Sequence, residues 1–170
     1  MSPPAAALAV LAVLGALATA APVTAAAADE ACIFDQAAQV ARYREMEQRI
    51  EGARYDAADG VLVIDRGAAT ITVRRGGCVH FGLTITHAAP AAPGDADRDA
   101  VFARAVALVA EFGGGELVSA DEVAAAIRNG GFALEVGQVY YLRVAGVEAF
   151  SIMWGVADGR LTVEVSYYIN

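Results

Sequence analysis

Two cysteines and two histidines are the side chains of this sequence with the most evident chemical potential. Cys78, His80 and His87 fall within residues 76–87, and Cys32 lies upstream. The stretch alternates polar and apolar residues, and a period of two predicts a β-strand with one buried face. On one continuous strand His80 and His87 point to opposite faces, so we expect no joint metal or catalytic site from the two histidines.

The two cysteines are best explained as a disulfide. Cys32 and Cys78 are the only cysteines among the 170 residues, and an even pair in an exported protein usually forms a bond. The closed loop would stabilise the fold by roughly 4 kcal/mol as an upper figure in the chain-entropy model. The alternative, a metal site using Cys78 and His80, would need two further ligands. We predict the Cys32–Cys78 disulfide, no metal and no cofactor.

Neither the serines nor the acidic residues form a catalytic or metal-binding motif. Ser119, Ser151 and Ser166 all lack the Gly-x-Ser-x-Gly context of a nucleophile elbow. The run of alternating acids at residues 95–99 begins like a calcium loop but lacks its glycine and final glutamate. Three acids ahead of a helix are better explained by N-capping. We therefore assign no catalytic residue.

The overall charge argues against nucleic-acid binding. The chain has 12 arginines, no lysine and 20 acidic residues, for a net charge of -8. Such an acidic protein is poorly suited to bind nucleic acid or an anionic membrane.

The first 28 residues contain no charged side chain and have a short leucine-rich centre. They predict a signal peptide that is cleaved after about Ala20 or Ala28, although the basic residues of a typical n-region are absent. The alternative is an uncleaved anchor, but the centre is too short to span about 30 Å of hydrocarbon comfortably. We expect the mature chain, 29–170, to be periplasmic or extracellular and free of the membrane.

Three helices follow from the spacing of apolar residues and from capping signals. Residues 33–51 have apolar positions at helical spacing, with Asp35 as N-cap and Gly52 after the end. Residues 97–112 are apolar nearly all round, which is typical of a buried helix. A third helix begins at Ser119, which forms a capping box with Glu122.

Eight strands are predicted from alternation and turn signals, at about 53–57, 61–65, 69–75, 78–87, 131–136, 139–145, 147–156 and 160–169. A three-residue loop at 75–77 would pair Val73 with Val79. The turn at Asp158-Gly159 would pair Trp154 with Val163 on the inner face.

The second meander presents a candidate binding surface. A turn at Ala145-Gly146 would place Tyr140 opposite Ser151, on the outer face. We predict partner binding there through Tyr140, Leu142, Met153 and Tyr168, because tyrosine and methionine among small polar residues are favoured at interfaces. The alternative is that a helix or the first sheet covers this face.

The fold class is therefore predicted as α+β: one helix and a four-stranded antiparallel meander, then two helices and a second such meander. Residues 29–170 would form one domain, with 29–92 and 93–170 as candidate halves of a pseudo-repeat. This order of elements is similar to that of the β-lactamase inhibitor proteins, where a helix pair and a four-stranded sheet occur twice. The similarity is one of layout, and no motif identifies a family.

Without a convergent catalytic group, metal spacing or cofactor motif, the sequence favours a binding protein. We expect a non-enzymatic, inhibitor- or immunity-type protein that binds another exported macromolecule. One alternative is a hydrolase with dispersed catalytic residues centred on His80. A second is a carrier that holds an apolar ligand between sheet and helices.

Overall fold

The computed structural model of the protein describes residues 34–78, 80–113, 118–130 and 132–169. The predicted signal peptide and Cys32 lie outside these residues, as does Val79. The described part of the chain contains α1 (Gln36–Arg49), β1 (Ala53–Asp56), β2 (Val61–Arg66), β3 (Ala69–Gly76), β4 (Phe81–Pro90), α2 (Arg98–Phe112), α3 (Ala120–Arg128), β5 (Phe132–Val136), β6 (Val139–Leu142), β7 (Ala149–Ala157) and β8 (Arg160–Ile169). The predicted α+β class is confirmed.

All eight of these strands belong to one antiparallel sheet with the order β1-β2-β3-β4-β8-β7-β6-β5. This corrects the prediction of two four-stranded sheets. The two meanders are joined because β4 pairs with β8 along its whole length, from Phe81 opposite Ile169 to Pro90 opposite Arg160. Each of these strands would otherwise be a long unpaired edge, which native sheets avoid.

One face of the sheet, here called the inner face, is covered by α1 and α2. Its side chains are buried at alternate positions on the central strands, as at Leu83 and Ile85 of β4 and Val163 and Val165 of β8. α1 packs on β1 to β3, α2 packs on β4, β7 and β8, and α3 packs on α2. The helices and this face together form the hydrophobic core.

The starts of α1 and α3 follow the capping signals in the sequence, whereas α1 ends at Arg49, with Ile50 as C-cap, rather than at the predicted Gly52. Asp35 accepts hydrogen bonds from the backbone N–H groups of Ala37 and Ala38 at the start of α1. Ser119 and Glu122 form the predicted capping box of α3. These bonds satisfy donors that the first turn of a helix otherwise leaves unpaired.

The hairpin between β3 and β4 differs from the prediction. Val73 lies opposite Ile85 rather than Val79, so the register is displaced by six residues. An even displacement keeps every side chain on its predicted face. The loop is longer, and its Gly77 has φ of 139°, where a Cβ would lie 1.7 Å from the carbonyl oxygen of His80. His80 therefore lies in this loop and not in a strand.

The hairpin between β7 and β8 has the predicted register, with Trp154 opposite Val163. The prediction for β6 was wrong by one residue: Tyr140 lies opposite Ile152, not Ser151. β6 ends at Leu142, and the connection to β7 spans residues 143–148 rather than a tight turn at Ala145-Gly146. An odd displacement moves each β6 side chain to the other face.

Candidate functional site

The opposite face of the sheet, here called the outer face, is the surface that the sequence singled out. Along β4 and β8 its side chains are half-buried or exposed, and none is fully buried. Met153 and Tyr168 lie on it as predicted, with exposures of 43% and 42%. Tyr140 and Leu142 do not, because the β6 register turns both into the core, where they are 3% and 4% exposed.

Tyr140 is held in the core by aromatic contacts. Its ring stacks on Trp154 with a centroid distance of 5.3 Å and meets the edge of Phe102 of α2 at 5.1 Å. The guanidinium carbon of Arg98 lies 4.8 Å from the centroid of the Tyr140 ring. These contacts assign Tyr140 a structural role.

The same register brings residues to the outer face that the sequence prediction missed. Tyr141 lies opposite Ser151 and is 40% exposed, and Val139 lies opposite Met153. Val136 of β5, opposite Val139, is 55% exposed. The only available signal was their apolar character, because Val-Tyr-Tyr-Leu is apolar at every position and its alternation does not reveal which face is buried.

The exposed apolar residues of β5 to β7 form one end of the outer face, hydroxyl side chains form its centre, and Tyr168 lies beside that centre on β8. Four hydrogen-bonding residues from β4 and β8 mark this hydroxyl centre: the Thr84 and Ser166 oxygens are 3.1 Å apart, and the Thr86 hydroxyl donates to Glu164 at 3.2 Å. Pairing places Met153 beside Glu164 and Ser151 beside Ser166. The apolar end and the hydroxyl centre are therefore continuous.

A groove of about 740 Å³ opens at the β5–β7 end of the sheet, where outer-face residues and the inner-face residues Leu142 and Phe150 both line it. It is lined by residues of β5, β6, β7 and the 143–148 connection: Val136, Val139, Tyr141, Leu142, Arg143, Val144, Val147, Glu148, Ala149 and Phe150. The lining is mainly aliphatic and aromatic, with one arginine and one glutamate. Such a groove can accept apolar side chains from a partner or an apolar ligand.

The charges on the strands of the outer face balance. Alternation places three arginines and three acidic residues there: Arg54, Arg74, Arg160, Asp56, Asp65 and Glu164. The whole chain, by contrast, has a net charge of -8. Among the residues that the structure describes, the excess of acidic over basic side chains therefore lies off these strands.

The two histidines are not brought together. His80 is exposed in the loop before β4, whereas His87 lies on the inner face opposite Ile71. Arg104 Nη1 of α2 is 3.5 Å from His87 Nδ1, and a guanidinium can only donate. Partial burial and then the charge of Arg104 lower the pKa of His87, with a smaller opposing effect from Asp95. A neutral His87 fits this environment.

The acidic residues before α2 form hydrogen bonds and an ion pair with neighbouring residues. Asp95 accepts a hydrogen bond from the Ala92 N–H at 3.0 Å and lies 4.0 Å from Arg104, and Asp97 is the N-cap of α2. Within the described residues, no group of three or more His, Cys, Asp or Glu side chains is arranged to hold a metal.

No helix in the described ranges has the length and hydropathy needed to cross a membrane. The chain matches no protein family, no curated protein and no solved structure.

Proposed function

We propose that this protein is exported and acts, without catalysis, by binding another exported protein through the outer face of its sheet. The observation that carries the proposal is the exposed apolar end formed by Val136, Tyr141 and Met153, continuous with a hydroxyl-rich centre that the exposed Tyr168 borders on β8. Large apolar side chains clustered on a surface are typical of a docking site, whereas scattered ones are not.

The size of the face suits a protein partner. Eight strands spaced at about 4.8 Å give a width of about 34 Å, and six residues of strand give a length of about 20 Å. The resulting area, roughly 700 Å², is close to the roughly 800 Å² that each partner buries in a standard interface. A paired sheet is also rigid, so little conformational entropy is lost on binding.

The charge distribution favours docking by this face over any other. Its balanced charges let a neutral or acidic partner approach, whereas the negative charge elsewhere repels an acidic partner. A protein partner can fill the apolar groove with side chains and use the hydroxyl centre for hydrogen bonds.

The test is to capture a partner from the exported fraction and to measure its dissociation constant for variants. Tyr168→Ala and Met153→Ala should each weaken binding by about 1 kcal/mol or more, roughly fivefold, and leave stability nearly unchanged. Val40→Ala removes an equally exposed apolar side chain from α1 and is the matched control. Equal affinities for all three variants and the wild type would exclude the outer face.

Tyr140→Ala separates folding from binding. Because Tyr140 is buried, this variant should lose about 3–5 kcal/mol of unfolding free energy, measured by urea denaturation. Loss of binding without loss of stability would contradict its assignment to the core.

The groove favours a second candidate, a carrier of an apolar ligand. Its ligand would lie at the β5–β7 end rather than between sheet and helices. A fluorescent fatty acid should then bind the wild type, and Val139→Arg should abolish binding. If the fatty acid does not bind, the groove serves the protein interface alone.

We also propose that the two halves, 29–92 and 93–170, form a pseudo-repeat. The sheet order is symmetrical about its centre, where β4 and β8, the last strands of the two halves, pair with each other. Each half thus contributes helix structure and four strands to one sheet. Two related units joined at their last strands would produce this order.

The proposed disulfide would secure the start of the mature chain. The Phe34 N–H donates to the Cys78 carbonyl oxygen at 3.2 Å, which brings the chain near Cys78 two residues after Cys32. No cysteine among the described residues is free. Mass spectrometry of non-reduced protein from the exported fraction should show about 2 Da less than the reduced form. Two free thiols there would refute the bond.

A further inference from the structure

A small polar cavity lies on the helix side of the molecule, away from the outer face. Its volume is about 120 Å³, and its lining comes from α1, the end of β3 and the end of α2: Arg42, Glu45, Met46, Arg49, Arg75, Glu111 and Phe112. The four α1 residues are spaced i, i+3, i+4 and i+7, so they form one stripe of that helix. Three of the seven lining residues are arginines.

Arg75 contributes a buried, unsatisfied hydrogen-bond donor to this lining. It lies opposite Leu83 on the inner face, and its guanidinium carbon is 5.6 Å from the centroid of the Phe81 ring. Its Nε atom is buried and has no hydrogen-bond acceptor in the protein. Burying a charged donor without an acceptor is costly, so this buried Nε–H in the lining of a cavity points to an acceptor that comes from outside the chain.

The two carboxylates of the lining are already paired with arginines, and one of these arginines, Arg42, belongs to the lining itself. Glu111 forms an ion pair with Arg66, and Glu45 lies 3.6 Å from Arg42. Three arginines against two glutamates leave the lining with one net positive charge, although the whole chain is strongly acidic. The cavity is a local positive site.

We infer that this cavity binds a small tetrahedral oxyanion, such as phosphate or sulfate. Arginine forks match the oxygen geometry of such ions and form charge-assisted hydrogen bonds with them. The volume admits one small ion and excludes a nucleotide. The bound ion accepts the hydrogen bond that Arg75 Nε lacks and links α1, β3 and α2 through their side chains.

The experiment measures the melting temperature of the purified protein in sodium phosphate, in sodium sulfate and in sodium chloride at matched ionic strength. The wild type should melt several degrees higher in phosphate or sulfate, with a shift that saturates as a single-site isotherm. Arg75→Met keeps most of the apolar stem and should abolish the shift. Arg49→Gln, at an exposed position, should weaken binding about tenfold.

Arg128→Gln is the matched control, because it removes one positive charge at an exposed position of α3 outside the cavity. It should retain the full phosphate-dependent shift. Equal melting temperatures of the wild type in phosphate, sulfate and chloride would overturn the inference, as would loss of the shift in Arg128→Gln.

A purely structural role for the arginines has a different signature. The C-terminal end of α2 carries partial negative charge and has no basic residue in its last turn, so Arg75 could serve only to neutralise it. Arg75→Met would then lower the melting temperature equally in phosphate and chloride, and wild-type stability would not depend on the anion. That result would refute the oxyanion site.

Discussion

Tyr140 and Tyr168 have the same side chain, yet the sheet uses them in opposite ways. Tyr140 contacts Trp154 and Phe102 inside the core, whereas Tyr168 is 42% exposed at the end of β8. The face on which a residue lies, rather than its chemistry, therefore separates a folding residue from a candidate binding residue. The same reasoning applies to the two histidines, since only His87 is packed against a helix.

His87 should make stability depend on pH. Burial and the charge of Arg104 lower its pKa in the folded protein, so the unfolded chain takes up a proton first as the pH falls. The contribution of neutral His87 to the free energy of unfolding is fully present above about pH 6.5, the pKa of histidine in the unfolded chain. It declines below that pH until the pH passes the lowered pKa of the folded protein. Urea denaturation between pH 7.5 and 5 should show this decline.

His87→Gln should reduce the decline in that window, because the substituted side chain does not titrate. His80→Gln, in the exposed loop before β4, is the control and should retain the wild-type profile. If His87→Gln retains it too, the pH dependence arises from other groups.

α2 and α3 differ in how much their stability depends on N-terminal capping. Ser119 and Glu122 make reciprocal hydrogen bonds at the start of α3, whereas Asp97 at the start of α2 makes no side-chain capping bond. α2 also buries six residues and α3 only one. The shorter, less buried helix therefore relies more on its cap.

Ser119→Ala should cost about 1 kcal/mol of stability, because the substitution leaves helix donors unsatisfied. Asp97→Ala is the matched comparison and should cost clearly less, since no capping bond is lost. The loss of unfolding free energy in each variant is measured by chemical denaturation at pH 7. Equal losses would contradict the assignment of the difference to the capping hydrogen bonds of Ser119.

The molecule as a whole depends on the pairing between β4 and β8. These strands form the centre of the sheet, and the inner-face residues on both belong to one core. Residues of the first half, such as Ile85, and of the second half, such as Val165, lie directly opposite each other. The candidate halves 29–92 and 93–170 therefore share one core.

The halves expressed separately should not fold as stable monomers. Each would expose a central strand with unpaired backbone groups and an apolar face, which promotes aggregation or strand exchange. Circular dichroism and sedimentation should show disordered or aggregated material for each half, and the two together should recover structure. A monomeric, cooperatively unfolding half would contradict the shared core.

Local signals in the sequence determined the elements of this fold. Apolar periodicity and capping residues located the helices, and the Asp158-Gly159 turn fixed the register of β7 and β8 because a two-residue loop leaves one pairing. That register was enough to place Met153 and Tyr168 on the outer face.

Tertiary structure decided what local signals could not. The Val-Tyr-Tyr-Leu run of β6 is apolar on both sides, so its alternation cannot show that Tyr140 and Leu142 face the core. Packing decides this, since Tyr140 contacts Phe102 of α2 and Trp154. The pairing of β4 with β8 and the meeting of Arg75 with the arginines of α1 join residues far apart in the chain. Such contacts depend on how complete elements pack, and no pattern within a single segment encodes them.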